Sequence, residues 1–352
     1  MSALSAAAQD RDNNFNLLRM AAALAVLVSH AWPISRGPGT AEPLERLTGA
    51  SLGTLAVYVF FALSGFFVSA SWARRASLAD FLAARALRLF PALAVSLAAV
   101  LLVLGPLTTS LPLADYFAHP ATARFLPRNL ALLTPQYTLP GVFAANPYPA
   151  VEGSIWTLAY EAECYLALLA LGLAGLSRRG LGLAFAGYGL LWLATAGLAL
   201  PVRLAEARAL SLPFAIGMAA YHGRDRLRLT LPRVATLALV AVLARGTPLA
   251  QPALVLALAA AGFWAGLLAS PRLRAYNRFG DYSYGVYLYA FPVQGLVASA
   301  AGGSLSPFAN IALSVPATLA LAVLSWHLVE RPALALRRAR RAALSPPVAA
   351  RR

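Results

Sequence analysis

The chain alternates between long apolar segments and short arginine-rich connections, and this alternation restricts the folds open to it. Each apolar segment has about 20 residues, the length that a helix needs to cross the hydrocarbon core of a bilayer. There, every backbone N–H and C=O group needs a partner within the protein, so that only helices or closed barrels cross. Segments of this length favour helices. We place them at about 16–34, 51–72, 88–107, 154–176, 181–200, 207–222, 229–246, 250–269, 281–300 and 307–329.

The composition agrees with an integral membrane protein of the all-α class. Apolar residues make up 60% of the 352 residues and charged residues only 12%, which is fewer charges than soluble domains carry. The formal net charge is +16, and all 29 basic residues are arginine. In a soluble protein this excess would suggest nucleic acid, but here the arginines lie in connections, where they mark topology. We therefore expect membrane lipids as partners and no nucleic acid.

The arginines are distributed unevenly between the two sets of connections. With the N-terminus in the cytoplasm, 21 arginines fall on the cytoplasmic side and seven on the other, while Arg19 lies within the first segment. The positive-inside rule then predicts a polytopic bundle of about ten transmembrane helices with both termini in the cytoplasm. We expect a membrane domain over 1–333 and a disordered, arginine-rich cytoplasmic tail over 334–352.

The first apolar segment contains two ionisable side chains, Arg19 and His30. Such groups are costly at membrane depth and are candidates for function. Eleven residues of helix bring His30 within about 20° of the azimuth of Arg19 and place it about 16 Å further along the axis. Each residue also has a structural alternative: Arg19 as an anchor that reaches the membrane interface, and His30 as a hydrogen-bonded contact between helices.

A second polar cluster opens the fourth apolar segment and contains Glu161 and Glu163. The two are about 200° apart on a helix, so they cannot share a face. Glu161 enters from the outer side, in the half of the membrane that holds His30. A carboxylate bonded to the imidazole would fix its tautomer and raise its basicity. A structural contact of Glu161 with an arginine or with the backbone is the alternative.

The cytoplasmic connection after the second segment contains two arginines suited to phosphate. Ser77 and Asp80 resemble a capping box that opens a short helix, which Pro91 would interrupt before the next span. Arg85 and Arg88 share one face of that helix, and their planar forks match phosphate oxygens. The alternative is that both arginines only mark topology.

Other catalytic patterns are missing from the sequence. The single cysteine, Cys164, excludes an internal disulfide and a multi-cysteine metal site. There is no glycine loop for phosphate, no His/Cys metal spacing and no serine nucleophile elbow, so we expect no metal. The outer loop at about 108–153 contains seven prolines, and a loop of this length is usually either functional or disordered.

Six short motifs, taken together and in order, resemble the acyltransferase 3 family, bacterial membrane proteins that acylate cell-surface glycans and related acceptors. The resemblance covers the chain from Asn14 to about Pro332. The motifs are FNLLR at 15–19 followed by His30, VYVFFALSGF at 57–66, the segment 81–91 with Arg85 and Arg88, SIWTLAYE at 154–161, GDYSYGVYLY at 280–289 and ERP at 330–332.

The resemblance implies an acyl-coenzyme A donor, acetyl-coenzyme A by family habit, held from the cytoplasm of a bacterial inner membrane. It implies that His30 is catalytic, with Arg19 as the other half of the family signature and Glu161 as the glutamate of the Trp-(Ser/Thr)-Leu motif. Arg85 and Arg88, together with Arg19, would hold the phosphates of the coenzyme. Substrate contacts are expected from Ser154, Trp156 and Tyr160.

Two positions depart from the family pattern. Asn16 stands where many members have aspartate, which removes a potential ion pair for Arg19. Ala290 follows Tyr289 where many members carry histidine, so that no second histidine contributes near that span.

These features predict a membrane-bound O-acyltransferase that moves an acyl group from cytoplasmic acyl-coenzyme A to a hydroxyl. The acceptor is a glycan, a lipid-linked sugar or a glycosylated small molecule, and His30 either deprotonates its hydroxyl or is transiently acylated. Two alternatives stay open. In a proton-coupled transporter or flippase of a lipid-linked sugar, His30 and Glu161 would relay protons, although no internal repeat is found. A scaffold protein would tolerate replacement of both Arg19 and His30.

Overall fold

The computed structural model describes residues 3–7, 12–75, 77–303 and 305–336, and these residues are predominantly helical. They contain no β-strand, only an isolated antiparallel bridge between Thr109 and Val142, so the all-α prediction is confirmed for this part of the chain. The helices are α1 (Ala3–Ala7), α2 (Phe15–Arg36), α3 (Pro43–Thr48), α4 (Leu52–Ala73), α5 (Leu78–Ala99), α6 (Gly105–Thr108), α7 (Leu113–Ala118), α8 (Pro120–Ala131), α9 (Trp156–Leu173), α10 (Arg178–Ala194), α11 (Val202–Gly223), α12 (Leu231–Leu243), α13 (Ala250–Gly266), α14 (Pro271–Arg274), α15 (Ser283–Ala300) and α16 (Pro307–Ser325).

A helix lies at each of the ten segments expected to cross the membrane. By length and hydropathy, four stretches among the described residues are candidate spans: α2, α4, Leu78–Thr108 and Pro307–Leu336. A fifth is gained if α13 and the short helical segment after it are counted as one span bent by 91°. The finding is thus four or five candidate spans, while ten spans and cytoplasmic termini stay a prediction. Of the expected tail, residues 337–352 lie outside the described residues.

The helix that Ser77 opens is longer than the sequence predicted. The Ser77 hydroxyl accepts a hydrogen bond from the Asp80 N–H at 3.1 Å, as the capping pattern predicted. The prediction that Pro91 interrupts this helix is wrong, because α5 passes through Pro91 and continues through a π-helical turn into α6. A proline removes one backbone hydrogen bond, and membrane helices tolerate that loss. Arg85 and Arg88 therefore lie on the same helix as the third expected span.

The described residues group into two compact units. The first comprises the described residues of Met1–Val26, Pro43–Ala73 and Thr157–Gly280, and the second comprises those of Leu27–Glu42, Arg74–Trp156 and Asp281–Arg352. The helix α2 contributes its first part to one unit and its second part to the other.

In the first unit, α4 and α11 pack closely because each presents a glycine to the other. A Cβ atom on Gly65 would lie 2.1 Å from the carbonyl oxygen of Phe214, and one on Gly217 would lie 2.0 Å from that of Ala62. Small residues allow membrane helices to approach in this way. Phe66, one residue after the first glycine, is fully buried in the apolar core of this unit.

In the second unit, α15 is the central helix, and every residue from Ser283 to Gly295 is buried. Buried amides connect it to its neighbours. The Gln294 side chain donates to the carbonyl oxygen of Leu27 on α2 at 2.9 Å, and the Asn310 side chain of α16 donates to the Gln294 carbonyl at 3.1 Å. The second part of α2, which carries His30, is therefore held against α15 by packing and by a buried hydrogen bond.

The long outer loop is folded rather than disordered. Helices α7 and α8 lie within it, and the buried Tyr116 donates from its hydroxyl to the Leu101 carbonyl at 2.8 Å. Asn129 donates to the Gln136 carbonyl at 3.0 Å and accepts from the Gln136 N–H at 2.7 Å. Of the two alternatives for a loop of this length, disorder does not fit its described residues, and a functional role of the loop stays a prediction.

Candidate functional site

His30 lies on α2, in the part that belongs to the second unit. Its ring meets the Phe291 ring of α15 edge-on, with the two centroids 5.3 Å apart. Phe291 also meets Tyr148 of the outer loop, with centroids 5.8 Å apart. On another side Phe291 lies against Gly153, where a Cβ atom would be only 2.1 Å from the Phe291 Cε2 atom. The position of the imidazole therefore depends on a phenylalanine that the outer loop surrounds.

The imidazole of His30 is partly exposed, but its Nδ1 atom is buried. Among the described residues, none forms a hydrogen bond with that nitrogen. A neutral imidazole with its hydrogen on Nε2 has an acceptor at Nδ1. His30 is thus placed by aromatic packing, and its buried Nδ1 atom has no hydrogen-bond partner among the described residues.

Arg88 is bound by two carboxylates of the second unit. Its Nη2 atom lies 2.7 Å from Asp281 Oδ2, and its Nη1 atom lies 3.4 Å from Glu330 Oε2. The Arg88 Cζ atom lies 5.5 Å from the centroid of the Tyr284 ring. The Ser325 hydroxyl donates a hydrogen bond to Glu330 Oε1 at 3.2 Å. Three motifs that are far apart in the sequence meet at this ion cluster.

The other arginines of the predicted donor site are Arg85 and Arg19. Arg85 is half-buried on α5, one turn before Arg88. Arg19 is half-buried on α2 and belongs to the first unit. Near it, Asn16 donates to the Gly280 carbonyl at 2.9 Å, so that the residue in the family's aspartate position has a backbone partner.

Glu161 and Glu163 lie in different surroundings, as their angle on the helix predicted. Glu161 accepts hydrogen bonds from the Ser64 hydroxyl at 3.0 Å and from the Tyr165 hydroxyl. Glu163 is exposed and pairs with Arg203. Within the first unit, the Glu161 carboxylate is thus held by two hydroxyl donors.

Two of the three predicted substrate contacts make hydrogen bonds within their own unit. The Ser154 hydroxyl donates to the Tyr287 carbonyl at 3.0 Å, and the Tyr287 hydroxyl donates to the Ser154 carbonyl. Tyr160 donates to Glu206 Oε2 at 2.6 Å. Trp156 is half-buried at the start of α9.

The predicted site residues divide between the two units. His30, Arg85, Arg88, Ser154 and Trp156 belong to the second, and Arg19, Tyr160 and Glu161 to the first. Within the described ranges, no group of three or more His, Cys, Asp or Glu residues is arranged to hold a metal ion.

Reasoning from the sequence missed Glu152, the most distinctive acidic residue of the outer loop. Its exposed fraction is 0%, and burial raises the pKa of its carboxyl group well above the usual range, opposed in part by the Ser96 hydroxyl. That hydroxyl faces Glu152 without forming a hydrogen bond of normal geometry. The signal available in the sequence was an acidic residue beside a glycine, directly before the motif that begins at Ser154.

Comparisons with known proteins agree with these motifs. A family model described as an acyltransferase domain, acyltransferase 3, matches residues 12–327. The chain is similar to an O-acetyl transferase of Shigella phage Sf6, with 29% identity over 336 residues that cover 91% of this chain and 96% of that protein. It is also similar to nodulation protein 10 of Rhizobium leguminosarum bv. viciae, with 37% identity over 164 residues, 44% of this chain and 43% of that protein.

No solved structure gives a significant match. The family model, however, covers the chain from before the first motif into the last apolar segment. This protein therefore belongs to the acyltransferase 3 family.

Proposed function

We propose that this protein is an integral O-acyltransferase of the bacterial inner membrane, with about ten spans and both termini in the cytoplasm. It moves an acyl group, in the first place acetyl, from cytoplasmic acyl-coenzyme A to a hydroxyl of a glycan, a lipid-linked sugar or a glycosylated small molecule. The family and the O-acetyl transferase relative support acyl transfer, and the apolar helices support a membrane location.

One observation carries the choice of His30 as the catalytic residue. Its ring lies on a candidate span, is positioned by Phe291, and has a buried Nδ1 atom with no partner among the described residues. In a histidine with a structural role in a membrane, both ring nitrogens are expected to form hydrogen bonds. A nitrogen that is positioned but unused supports a role toward a substrate.

His30 acts by one of two routes. In the direct route, a His30 nitrogen takes the proton of the acceptor hydroxyl while the hydroxyl oxygen attacks the thioester carbon. The carbon–sulfur bond breaks, and coenzyme A leaves as a thiolate that recovers a proton. In the covalent route, the nitrogen attacks the thioester first, coenzyme A leaves, and the hydroxyl then takes the acyl group from the imidazole. Both routes need an unprotonated ring nitrogen.

The donor binds through its phosphates on the cytoplasmic side. Arg85 and Arg88, one turn apart on α5, hold these phosphates, and Arg88 also binds the carboxylates of Asp281 and Glu330. Arg19 is the third phosphate contact. Glu161 supports the imidazole. On the acceptor side the assigned contacts are Ser154, Trp156 and Tyr160.

Release of coenzyme A from [14C]acetyl-coenzyme A by the purified protein in detergent tests the proposal. We expect His30→Ala to lower the rate by about a hundredfold or more, the usual loss when a general base is removed. His327→Ala is the matched control, since this histidine lies in the π-helical turn after α16 and contacts Tyr282. Wild-type activity in His30→Ala would overturn the assignment. Substrate flux into proteoliposomes of the same protein, without release of coenzyme A, would favour a transporter.

The two routes of acyl transfer are distinguished by trapping the acylated protein through rapid denaturation during turnover of [14C]acetyl-coenzyme A. In the covalent route, the wild-type protein retains radioactivity after rapid denaturation, and His30→Ala does not. In the direct route, neither protein is labelled although the wild type turns over.

A further inference from the structure

Two arginines of the outer loop, Arg124 and Arg128, are exposed on α8. Neither of them forms a hydrogen bond, an ion pair or a ring contact with any residue that the structure describes. Other arginines on the predicted outer side do have partners. Arg203 is in an ion pair, and Arg245 donates to a backbone carbonyl at 3.0 Å. The charges on α8 therefore call for an explanation that the protein itself does not supply.

The two arginines lie on the same side of their helix. Four residues of helix place them about 40° apart in azimuth and about 6 Å apart along the axis. Like charges at this spacing repel each other and destabilise a helix. Asp115, the one acidic residue between positions 105 and 151, pairs with neither of them among the described contacts. An anionic group bound between the two guanidinium groups would remove this repulsion.

The opposite side of α8 is packed into the folded loop. Thr122, Phe125 and Asn129 are buried there. The Gln136 side chain donates to the Ala121 carbonyl at 3.0 Å, in addition to its backbone hydrogen bonds with Asn129. The arginines are thus carried by a firmly packed helix, which is what a binding site needs to hold its charges in place.

The same loop also exposes large apolar side chains. Leu113 and Phe117, one turn apart on α7, are exposed, and so is Leu133, just after α8. Cations and apolar side chains on neighbouring short helices are typical of segments that lie in a membrane interface. On the predicted outer side, α7 and α8 therefore lie at the level of the lipid headgroups.

We propose that Arg124 and Arg128 bind the phosphate of a lipid-linked sugar, and that this sugar is the acceptor. Arginine forks match phosphate oxygens, and the phosphate of such a lipid lies at the membrane surface, between the lipid chain and the sugar. His30 and α8 belong to the same unit. The inference rests on the proposed function, and among its acceptor classes it selects the one that carries a phosphate.

Binding of radiolabelled farnesyl phosphate to the purified full-length protein in a nonionic detergent tests the site. Arg124→Gln/Arg128→Gln removes both charges, and we expect it to bind about tenfold more weakly or worse, the effect of losing charge-assisted hydrogen bonds. Arg124→Lys/Arg128→Lys keeps the charges without the planar forks and should have an intermediate affinity. Equal affinity of the wild type and the glutamine variant, or no binding by the wild type, would overturn the proposal.

Competitors distinguish a lipid-linked phosphate from other sources of the same chemistry. Farnesol lacks the phosphate and inorganic phosphate lacks the chain, so both should compete weakly. Phosphatidylglycerol carries the phosphate of an ordinary membrane lipid and should compete only in large excess. If it competes as well as unlabelled farnesyl phosphate, the arginines are a general contact for the membrane surface, and the proposal is wrong.

Two controls separate this role from a structural one. Arg245→Gln changes an exposed arginine on the predicted outer side that contacts backbone, and it should bind the probe as the wild type does. The glutamine variant of α8 should melt at or above the wild-type temperature, because it no longer holds two like charges one turn apart. Weaker binding by a protein of normal stability excludes misfolding as the cause.

Transfer to native lipids shows whether the bound molecule is the acceptor. With membranes of the source bacterium and [14C]acetyl-coenzyme A, the wild type should label a lipid from which mild acid, which cleaves the link between sugar and phosphate, releases labelled sugar. The glutamine variant should label it less. Label confined to molecules that mild acid leaves intact would overturn the inference alone. If the wild type neither transfers label nor releases coenzyme A, the proposed function itself fails.

Discussion

At the scale of single residues, Arg88 connects parts of the chain that no local pattern relates. Its two carboxylate partners, Asp281 and Glu330, come 193 and 242 residues later in the sequence. Glu330 is almost completely buried, with 3% of its side chain exposed, whereas Arg88 and Asp281 are 15% and 18% exposed. An arginine in such surroundings stabilises the structure mainly because removing it leaves carboxylates without a counter-ion.

Replacing Arg88 with glutamine should destabilise the protein. Loss of one partner from a buried ion pair costs about 3–5 kcal/mol, and the partial exposure of this cluster reduces the expected loss to about 2 kcal/mol. The measurement is the thermal midpoint in detergent. The double variant Arg88→Gln/Glu330→Gln should recover part of the loss. A single variant as stable as the wild type would contradict the structural assignment.

Replacing Arg85 with glutamine should weaken the donor site. Loss of one charge-assisted hydrogen bond, worth about 1.5–3 kcal/mol, predicts that the KM for acetyl-coenzyme A rises about tenfold or more while kcat changes little. Kinetics with the purified protein give both constants. An unchanged KM would remove Arg85 from the donor site.

The stability of the protein should depend on pH through Glu152. Burial raises the pKa of this carboxyl group in the folded protein, whereas in the unfolded chain it is about 4.3. Between these values the folded protein binds a proton that the unfolded chain has released, so stability falls as the pH rises. Glu152→Gln abolishes this loss. Its melting temperature should exceed that of the wild type increasingly from about pH 4 upward, and parallel curves would contradict the assignment.

Only part of the candidate site could be predicted at this scale. The cost of an ion in an apolar segment identified Arg19 and His30, and helical spacing correctly separated Glu161 from Glu163. The partners of Arg88 could not be inferred, since they depend on tertiary packing between distant segments. Glu152 has no periodic signal and lies just before a motif rather than within it, because what distinguishes it is burial within a folded loop.

At the scale of the elements, the apolar runs predicted the positions of the helices well. The thickness of the bilayer core sets both the length of an apolar run and the length of the helix that it forms. Two features were harder to predict. Pro91 was expected to end a helix that continues through it, since local propensity does not register the support of neighbouring helices. The helix α12 has only 13 residues, which is short for a crossing, although the apolar segment around it is longer.

The close approach of α4 and α11 yields a prediction about helix packing. In Gly217→Ala, the new Cβ would lie 2.0 Å from the Ala62 carbonyl oxygen, so the two backbones have to separate, at a cost of about 1–3 kcal/mol or more. The matched control is Gly187→Ala in α10, where a new Cβ has no neighbour within 4 Å and helix propensity rises. Thermal midpoints should fall for the first variant and hold or rise for the second. Equal midpoints would show that the contact is not tight.

At the scale of the whole molecule, the uneven arginine distribution predicts which loops face the cytoplasm. The only native cysteine, Cys164, is buried, so that cysteines can be introduced singly in a Cys164→Ala background. A maleimide that does not cross membranes should label Ala118→Cys, in the outer loop, in intact spheroplasts. Leu227 lies between two arginines that are predicted to be cytoplasmic and is 41% exposed, so Leu227→Cys should be labelled only after permeabilisation. Reversed labelling would invert the topology.

The contact between Gly153 and Phe291 has a consequence for how this protein diversifies. A side chain at position 153 would occupy the volume of the phenylalanine ring, and movement of that ring would shift the imidazole beside it. Among homologues, position 153 should therefore stay glycine wherever position 291 is phenylalanine, and the two should change together. Such paired substitutions would identify lineages in which the surroundings of His30 were rebuilt.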